Sequence, residues 1–539
     1  MSLATAPLPK NLDELLVFAA SLQTEVQVFK DELYTKTLYI EKLKLQLAAL
    51  RRARFGRSSE KLDREIGQLE MQLGDLEEGQ AEHAERQKRA QPQSSPAAPR
   101  KRTQPVRKPL PEHLPRERVE HDAACICPRC GGERLRRIGT DEREVLEYVP
   151  SHFKVIVHSR PKMSCRDCEK ITQEPMPPLP IERGIPGPGL LAHILIAKYD
   201  DHLPLYRQNE IYKRDGVDLD RSTLAEWVGQ TAFLLTSLAD AIGTHVRAGE
   251  SIHADDTHVP VLAPGNGATK TGRLWIALRD ERPWGSTVPP AVFYRYSPDR
   301  KGEQARILLG ACTGYLHADA YSGFGQLYEP NITTEKPRLL EVGCWAHARR
   351  KVYEVHKSDP SPAAQGLLEQ IGELFVIENA IHGKSQAERH KIRTEQAVPL
   401  LYALKEMYES VLDKISAKSN LAGALRYALN RWPSMTRYTT DGRLEICNNA
   451  AERAIRPIAI GRKNWMFAGS DTGGQRAATI YTIIETAKLC SLEPEAYLRD
   501  IIGRIGDHPI NRIDELLPWN WSLELKTSEN AREHGTSIP

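Results

Sequence analysis

Three acidic side chains and four thiols in this chain have the types and spacing that metal chemistry asks for. Asp255 lies within a strand-like run, Ser251 to Val261, and Asp319 follows directly on another, Tyr315 to Ala318. Glu452 sits in Asn448 to Arg453, a segment that opens a helical pattern. Hard oxygen donors of this kind suit magnesium, and two such ions about 4 Å apart activate an attacking oxygen and stabilise a leaving one, so phosphoryl transfer needs no protein nucleophile. Cys127-x-x-Cys130 and Cys165-x-x-Cys168, with 34 residues between the pairs, supply the four thiolates of a closed, structural zinc site. Cys125 is a competing thiol, and Cys344 with His347, which lack a second pair, read as structural.

The elements that must position these groups follow from periodicity. Ser251–Val261, Gly272–Leu278 and Ala291–Tyr296 read as three strands joined by turns rich in Gly and Pro; a helical stretch, Arg300–Leu309, precedes the fourth strand. Hairpin-connected strands, a helix and a returning strand is the element order of a ribonuclease H-like core, in which the places of Asp255 and Asp319 fall together. Glu452 then has to arrive on a later helix, with Ala454 and Ile455 on its apolar face before Pro457. Asn449 followed three residues later by Glu452 is equally a capping box, in which the glutamate only bonds the cap backbone. Arg453, Arg456, Arg462 and Lys463, interleaved with Trp465, suit DNA phosphates and an unstacked base, and fit a solvated helix face as well. The 132 residues between Asp319 and Glu452 carry helical spacing at Glu373–Ala380, Ala397–Val411 and Leu421–Leu429, which predicts an all-helical insertion.

Upstream, the strand-like runs Val145–Val149 and Phe153–Val157 place each cysteine pair at a knuckle. Apolar residues repeat by heptads from Leu12 to Leu50, which reads as a dimerising coiled coil or as a helix packed on its own protein. The basic stretch Arg51, Arg52, Arg54 and Arg57, with a hinge at Gly56, interrupts it, and Gln, Ser, Pro and basic residues then form a linker. Ile211–Arg214, a turn at Gly216 and a second helix with Ser222 as N-cap fit a DNA-reading helix-turn-helix or an ordinary helical hairpin. The 539 residues thus divide into a multidomain α/β chain: coiled coil 1–78, linker 79–118, zinc domain 119–180, helical region 186–247, core 250–343, insertion 344–440, core 441–490 and C-terminal extension 491–539. A net charge of +3 permits nucleic-acid binding through clustered residues without announcing it. Neither a secretory leader nor an apolar run of roughly 18 residues is evident, so the expectation is a cytoplasmic, nucleoid-associated protein with no membrane partner.

These residues resemble the insertion sequence 66 family of bacterial transposases over nearly the whole chain. The matching stretches are RRARFGRSSEKL from Arg51, the span Cys127–Cys168, the run from Gly187 to Val228, HADDT around Asp255, HADAYSGF around Asp319, GCWAHARRK from Gly343 and NNAAERAIRPIAIGRKNWMFAGS from Asn448. The resemblance implies a DDE-type DNA transposase with Asp255, Asp319 and Glu452 as the magnesium-binding triad. It also implies insertion-sequence ends and target DNA as substrates, a homo-oligomer, and small accessory proteins as partners. Two positions depart from the family pattern. Asp256 replaces a common glutamate, which leaves open which neighbour ligates metal, and Cys447 replaces a common aspartate.

Overall fold

The computed structural model describes residues 109–521, apart from 122–125, 150–151, 183, 263–268, 331–336 and 466–467, together with Thr37, Tyr39, Ile40, Lys42, Leu43 and Gln46. Those six are helical, and Ile40 and Leu43, one from each heptad series, are buried beside Tyr39. The rest of the expected coiled coil, the basic stretch Arg51 to Arg57, nearly all of the linker and Cys125 lie outside the described residues.

The first sheet is a long hairpin, β2 (Leu135–Val149) against β3 (His152–Cys165), with β1 (Arg116–Glu120) parallel to β3 and the short β4 (Ile171–Thr172) beside β3. Apolar alternation marks only the half of this ladder nearest the turn. The other half is held by cross-strand charge, with Arg116–Glu144 at 3.0 Å, Arg118–Glu142 at 2.9 Å and Lys162–Asp141 at 2.6 Å. A strand solvated on both faces has no hydrophobic period, so the sequence pattern stops at Val145 while the ladder runs on to the cysteines.

The buried carboxylate of Glu147 on β2 accepts from the backbone N–H of Leu190 at 2.6 Å, in the first turn of α1 (Pro188–Tyr199). A side chain at Gly189 would put its Cβ 2.5 Å from that carboxylate, so glycine is required for the approach. Next come α2 (Leu205–Arg214) and α3 (Arg221–Leu234), joined by a turn with Gly216 at φ +79°, and then α4 (Thr236–Arg247). The extended residue before α3 is Asp220, so Ser222 lies inside the helix and is not its N-cap. Nine of the residues of α3 are buried against neighbouring helices, with Ser222 and Glu226 the exposed ones. Ser222 and Glu226, one turn apart, give the N-terminal half of α3 a narrow free face.

The second sheet has the order β7-β6-β5-β8-β9, built from β5 (Ser251–Leu262), β6 (Thr269–Arg279), β7 (Ala291–Ser297), β8 (Gly314–His317) and β9 (Leu339–Val342). β5, β6 and β7 are antiparallel, α5 (Gly302–Leu309) follows, and β8 and β9 run parallel to β5. The first four strands stand where periodicity placed them. β9 was not anticipated, since its four residues are too few to show alternation.

The insertion is helical: α6 (Trp345–Ser358), α7 (Pro362–Ala380), α8 (Gln386–Ile392), α9 (Val398–Lys414), α10 (Asn420–Leu429) and α11 (Trp432–Thr436). It has its own core, which includes Trp345, Leu367, Ile371, Leu404 and Tyr408. The buried guanidinium of Arg393 bonds Glu378 at 2.6 Å and the carbonyls of Tyr438, Asp441 and Leu444, which pins the chain's return to the sheet. There α12 (Asn449–Trp465) lies on β5 and β6, and α13 (Asp471–Leu489) lies on β7. α12 runs on through Pro457, with the loss of one ladder bond at the proline nitrogen. On edge strand β7, the N–H groups of Tyr294 and Val292 donate to Thr482 and Thr486 of α13, so that edge is capped by side chains. The C-terminal extension folds back: α14 (Pro494–Arg504) packs on α1, and Trp521 Nε1 reaches Asp500 at 3.0 Å.

Candidate active site and thiol cluster

The four thiols converge at the open end of the β2–β3 hairpin. All four Sγ atoms lie within 4.8 Å of one another, with Cys127 and Cys168 3.4 Å apart and Cys130 and Cys165 3.7 Å apart. Tetrahedral zinc with its usual bonds to sulfur requires about 3.8 Å between thiolates, so the cluster fits that ion. Backbone N–H groups aid it: the amides of Arg129 and Cys130 hold the Cys127 thiol down at about 6, and the Asp167 N–H points at Cys165 Sγ at 3.4 Å. Left-handed backbone at Gly131 and Glu169 closes the two knuckles.

The three acids come from three elements of the second sheet and its helix. Asp255 is on β5, Asp319 stands two residues past the end of β8, and Glu452 is in the first turn of α12. Burial pushes the Asp255 carboxyl up to about 7, and the negative charges of Asp319, Asp256 and Glu452 add to the shift against one favourable bond from the Asp256 N–H at 2.7 Å. Among the described residues only the thiols are drawn within 4.8 Å, so the acids are neighbours at a looser spacing. Glu452 does not form the capping box: its carboxylate faces Arg350 Nη2 at 3.0 Å and His347 Nε2 at 3.5 Å, and its Oε1 is buried without a hydrogen bond.

Successive residues on a strand face opposite ways, and here that separates two adjacent aspartates. The Asp256 side chain is 1 % exposed and held by Arg300 at 2.7 Å and Arg273 at 3.0 Å, with Arg300 stacked on Tyr321. Its charge is matched from within the fold. Among the described residues no ion pair reaches Asp255.

Asn448, fully buried, fixes the entry of α12 against β5. Its Nδ2 donates to the Ala254 carbonyl at 2.9 Å, and its Oδ1 accepts from His253 Nδ1 at 3.0 Å. His253 stacks on His317, its register partner on β8, with ring centroids 4.2 Å apart. His317 Nε2 accepts from the Glu445 N–H at 3.0 Å, which assigns its proton to Nδ1. Burial lowers the pKa of both histidines, that of His253 to about 4, so the pair is neutral. The histidines two positions before each aspartate thus stitch β5, β8 and the start of α12 into one unit. Cys344 completes it as a buried thiol whose Sγ accepts from the Asn448 N–H at 3.2 Å.

The basic residues separate into two groups. Arg453 and Arg456 line a groove of about 1000 Å³ between α6, α7 and α12, into which Glu452 also opens. Arg462 turns back to the His258 carbonyl, Trp465 packs on the main core, and Lys463 is exposed. Sequence reasoning missed Arg349, Arg350, Tyr353 and Phe375 on the same groove, and His347 at Glu452. The signal was present as i, i+3 spacing of His347, Arg350 and Tyr353 on one helix face.

A four-thiol cluster thus stands ahead of an α/β body on which Asp255, Asp319 and Glu452 are near one another. The chain belongs to the insertion sequence 66 family: the family model described as "Transposase IS66 family" matches residues 183–476. The "zinc-finger binding domain of transposase IS66" matches 124–169, the "IS66 C-terminal element" 482–519, and "Transposase C of IS166 homeodomain" 42–119. Among curated proteins the chain is similar to the uncharacterized protein y4hP of Sinorhizobium fredii, at 40% identity over 89% of this chain and 88% of that one. It is also similar to y4qI of the same organism, at 37% identity over 97% and 99% of the two chains. Membership implies DNA binding, and the thiol cluster within the zinc-finger match supports structural zinc. Among the described residues no helix is long and apolar enough to cross a membrane.

Proposed function

We propose that this protein cuts insertion-sequence ends and joins them to target DNA through a DDE site on a ribonuclease H-like core, with Asp255, Asp319 and Glu452 as its acids. The observation that carries this reading is placement: Asp255 on β5, Asp319 just past β8 and Glu452 in the first turn of α12, which lies on β5, are near one another, and burial with those neighbouring charges pushes the Asp255 carboxyl up. Such a cluster is costly to the fold unless a cation shares it. The donor set of hard oxygens with the unbonded Glu452 Oε1 fits magnesium. When bound there, two such ions supply an activated oxygen nucleophile and a stabilised leaving oxygen.

The chain's own residues do the rest. Asp256, neutralised by Arg273 and Arg300, is a structural strut, so Asp255 is the ligand of the adjacent pair. Asn448 and the stacked histidines set the distance of Glu452 from the strands. The basic segment Arg51–Arg57 with Arg453, Arg456 and Lys463 contributes to phosphate binding, and the heptad segment makes a homo-oligomer. Nucleoid association and small accessory proteins of the element complete the reading.

The test is an end-cleavage and strand-transfer assay with magnesium on DNA carrying the element's own ends. Asp255→Asn, Asp319→Asn and Glu452→Gln each lower cleavage by about 10³-fold or more, since each removes several kcal/mol of charge stabilisation, while DNA binding persists. Full cleavage by Glu452→Gln protein removes that residue from the triad.

A further inference from the structure

The helical insertion is larger than anything the sheet needs, and one of its faces is unlike the others. α6 and α7 form a groove with α12 whose walls carry four exposed arginines, Arg349, Arg350, Arg453 and Arg456, beside the rings of Tyr353 and Phe375. Glu452 is the one acid among the lining residues, and Arg350 reaches it at 3.0 Å. Tyr353 is 48 % exposed although it lies on a helix with a well-buried opposite face.

We propose that this groove seats an unpaired DNA strand beside the cleavage site, with the arginines on its phosphates and a base stacked on Tyr353 and Phe375. The inference rests on the catalytic reading above only for what the strand is doing there. Its physical basis is independent. Cations flanking aromatic rings in a groove match a single strand, whose bases present free π faces, whereas a duplex hides them. The four arginines come from two elements across the groove, so phosphates are gripped from both walls. Arg350 bridges groove and carboxylate, which puts the phosphate of a seated strand within a side chain's length of Glu452. Trp465, the ring expected from sequence to stack a base, is half-buried on the main core, which leaves Tyr353 and Phe375 for that role.

The experiment uses the full chain with calcium in place of magnesium, a fluorescein-labelled oligo(dT) strand, and a blunt duplex as comparison. Arg349→Ala with Arg456→Ala weakens oligo(dT) binding and lowers the salt slope of log K by about 1.4, roughly 0.7 per lost contact. Tyr353→Ala weakens it about tenfold without changing that slope, Tyr353→Phe restores it, and neither moves duplex affinity. On wild-type protein, a strand carrying 5-iodouracil cross-links to α6 or α7. Unchanged oligo(dT) affinity in both alanine variants, an equal loss on blunt duplex for Tyr353→Ala, or cross-links confined to other elements overturns the proposal. Cleavage surviving in Asp255→Asn protein would sink the catalytic reading while leaving these binding results intact, so the two failures are distinguishable.

Discussion

The thiol cluster and the carboxylate site gather their side chains by opposite means. The thiols flank the two strand termini at the open end of one hairpin, and local turns bring the sulfurs together to within 4.8 Å. The acids come from two strands and a helix separated by a whole helical domain, and the sheet holds them at a looser spacing. A hairpin end with little apolar contact depends on its ion to stay closed. A site on a packed sheet keeps its shape without one, and the cost appears as a carboxyl raised to about 7.

That contrast can be broken most sharply at the thiols. Cys127→Ser should lower bound zinc from one per chain to near zero by metal analysis. It should also remove on the order of 10 kcal/mol of binding free energy from the hairpin end, with fast amide exchange confined there. Exchange spreading into β5 to β9 would mean the two regions are not independent.

On the carboxylate side, Asp256→Asn removes the charge that balances Arg273 and Arg300. It should cost about 4 kcal/mol in urea unfolding, close to what breaking a buried pair costs. Asp255→Asn should do the reverse. A carboxyl with its folded pKa raised contributes stability that is fully present below pH 4 and lost as pH rises through about 7. In magnesium-free buffer the asparagine variant should therefore match wild type near pH 4 and exceed it by about 4 kcal/mol at pH 8. Equal stability at both pH values would refute the uncompensated charge. Smallest, Asn448→Ala leaves His253 Nδ1 and the Ala254 carbonyl without a partner, for a cost of about 2 kcal/mol. Its larger effect should be on cleavage rate, because α12 carries Glu452.

Legibility followed the range of the interactions. Strands β5 to β8 were readable as short apolar runs bounded by Gly and Pro turns, buried on both faces over much of their length, and the cysteine pairs because knuckle spacing is local. The charged half of the β2–β3 ladder, the four-residue β9 and the passage of α12 through Pro457 were not, since each is held by partners distant in sequence. Ser222 looked like a cap because its residue type is right; Asp220, two positions earlier, has the extended backbone instead.

Composition and spacing by themselves determined the inventory: two cysteine pairs, acids at matching strand positions, a helical insertion and a resemblance that the family match bears out. Only the tertiary structure decided among neighbours. It turned Asp256 inward to two arginines and left Asp255 without an ion pair among the described residues, took Glu452 out of a capping box, and gave Arg350 and Tyr353 of the insertion a place beside it. The physical reason is that charge balance depends on what lies across the fold, and no local pattern records which cation will be there.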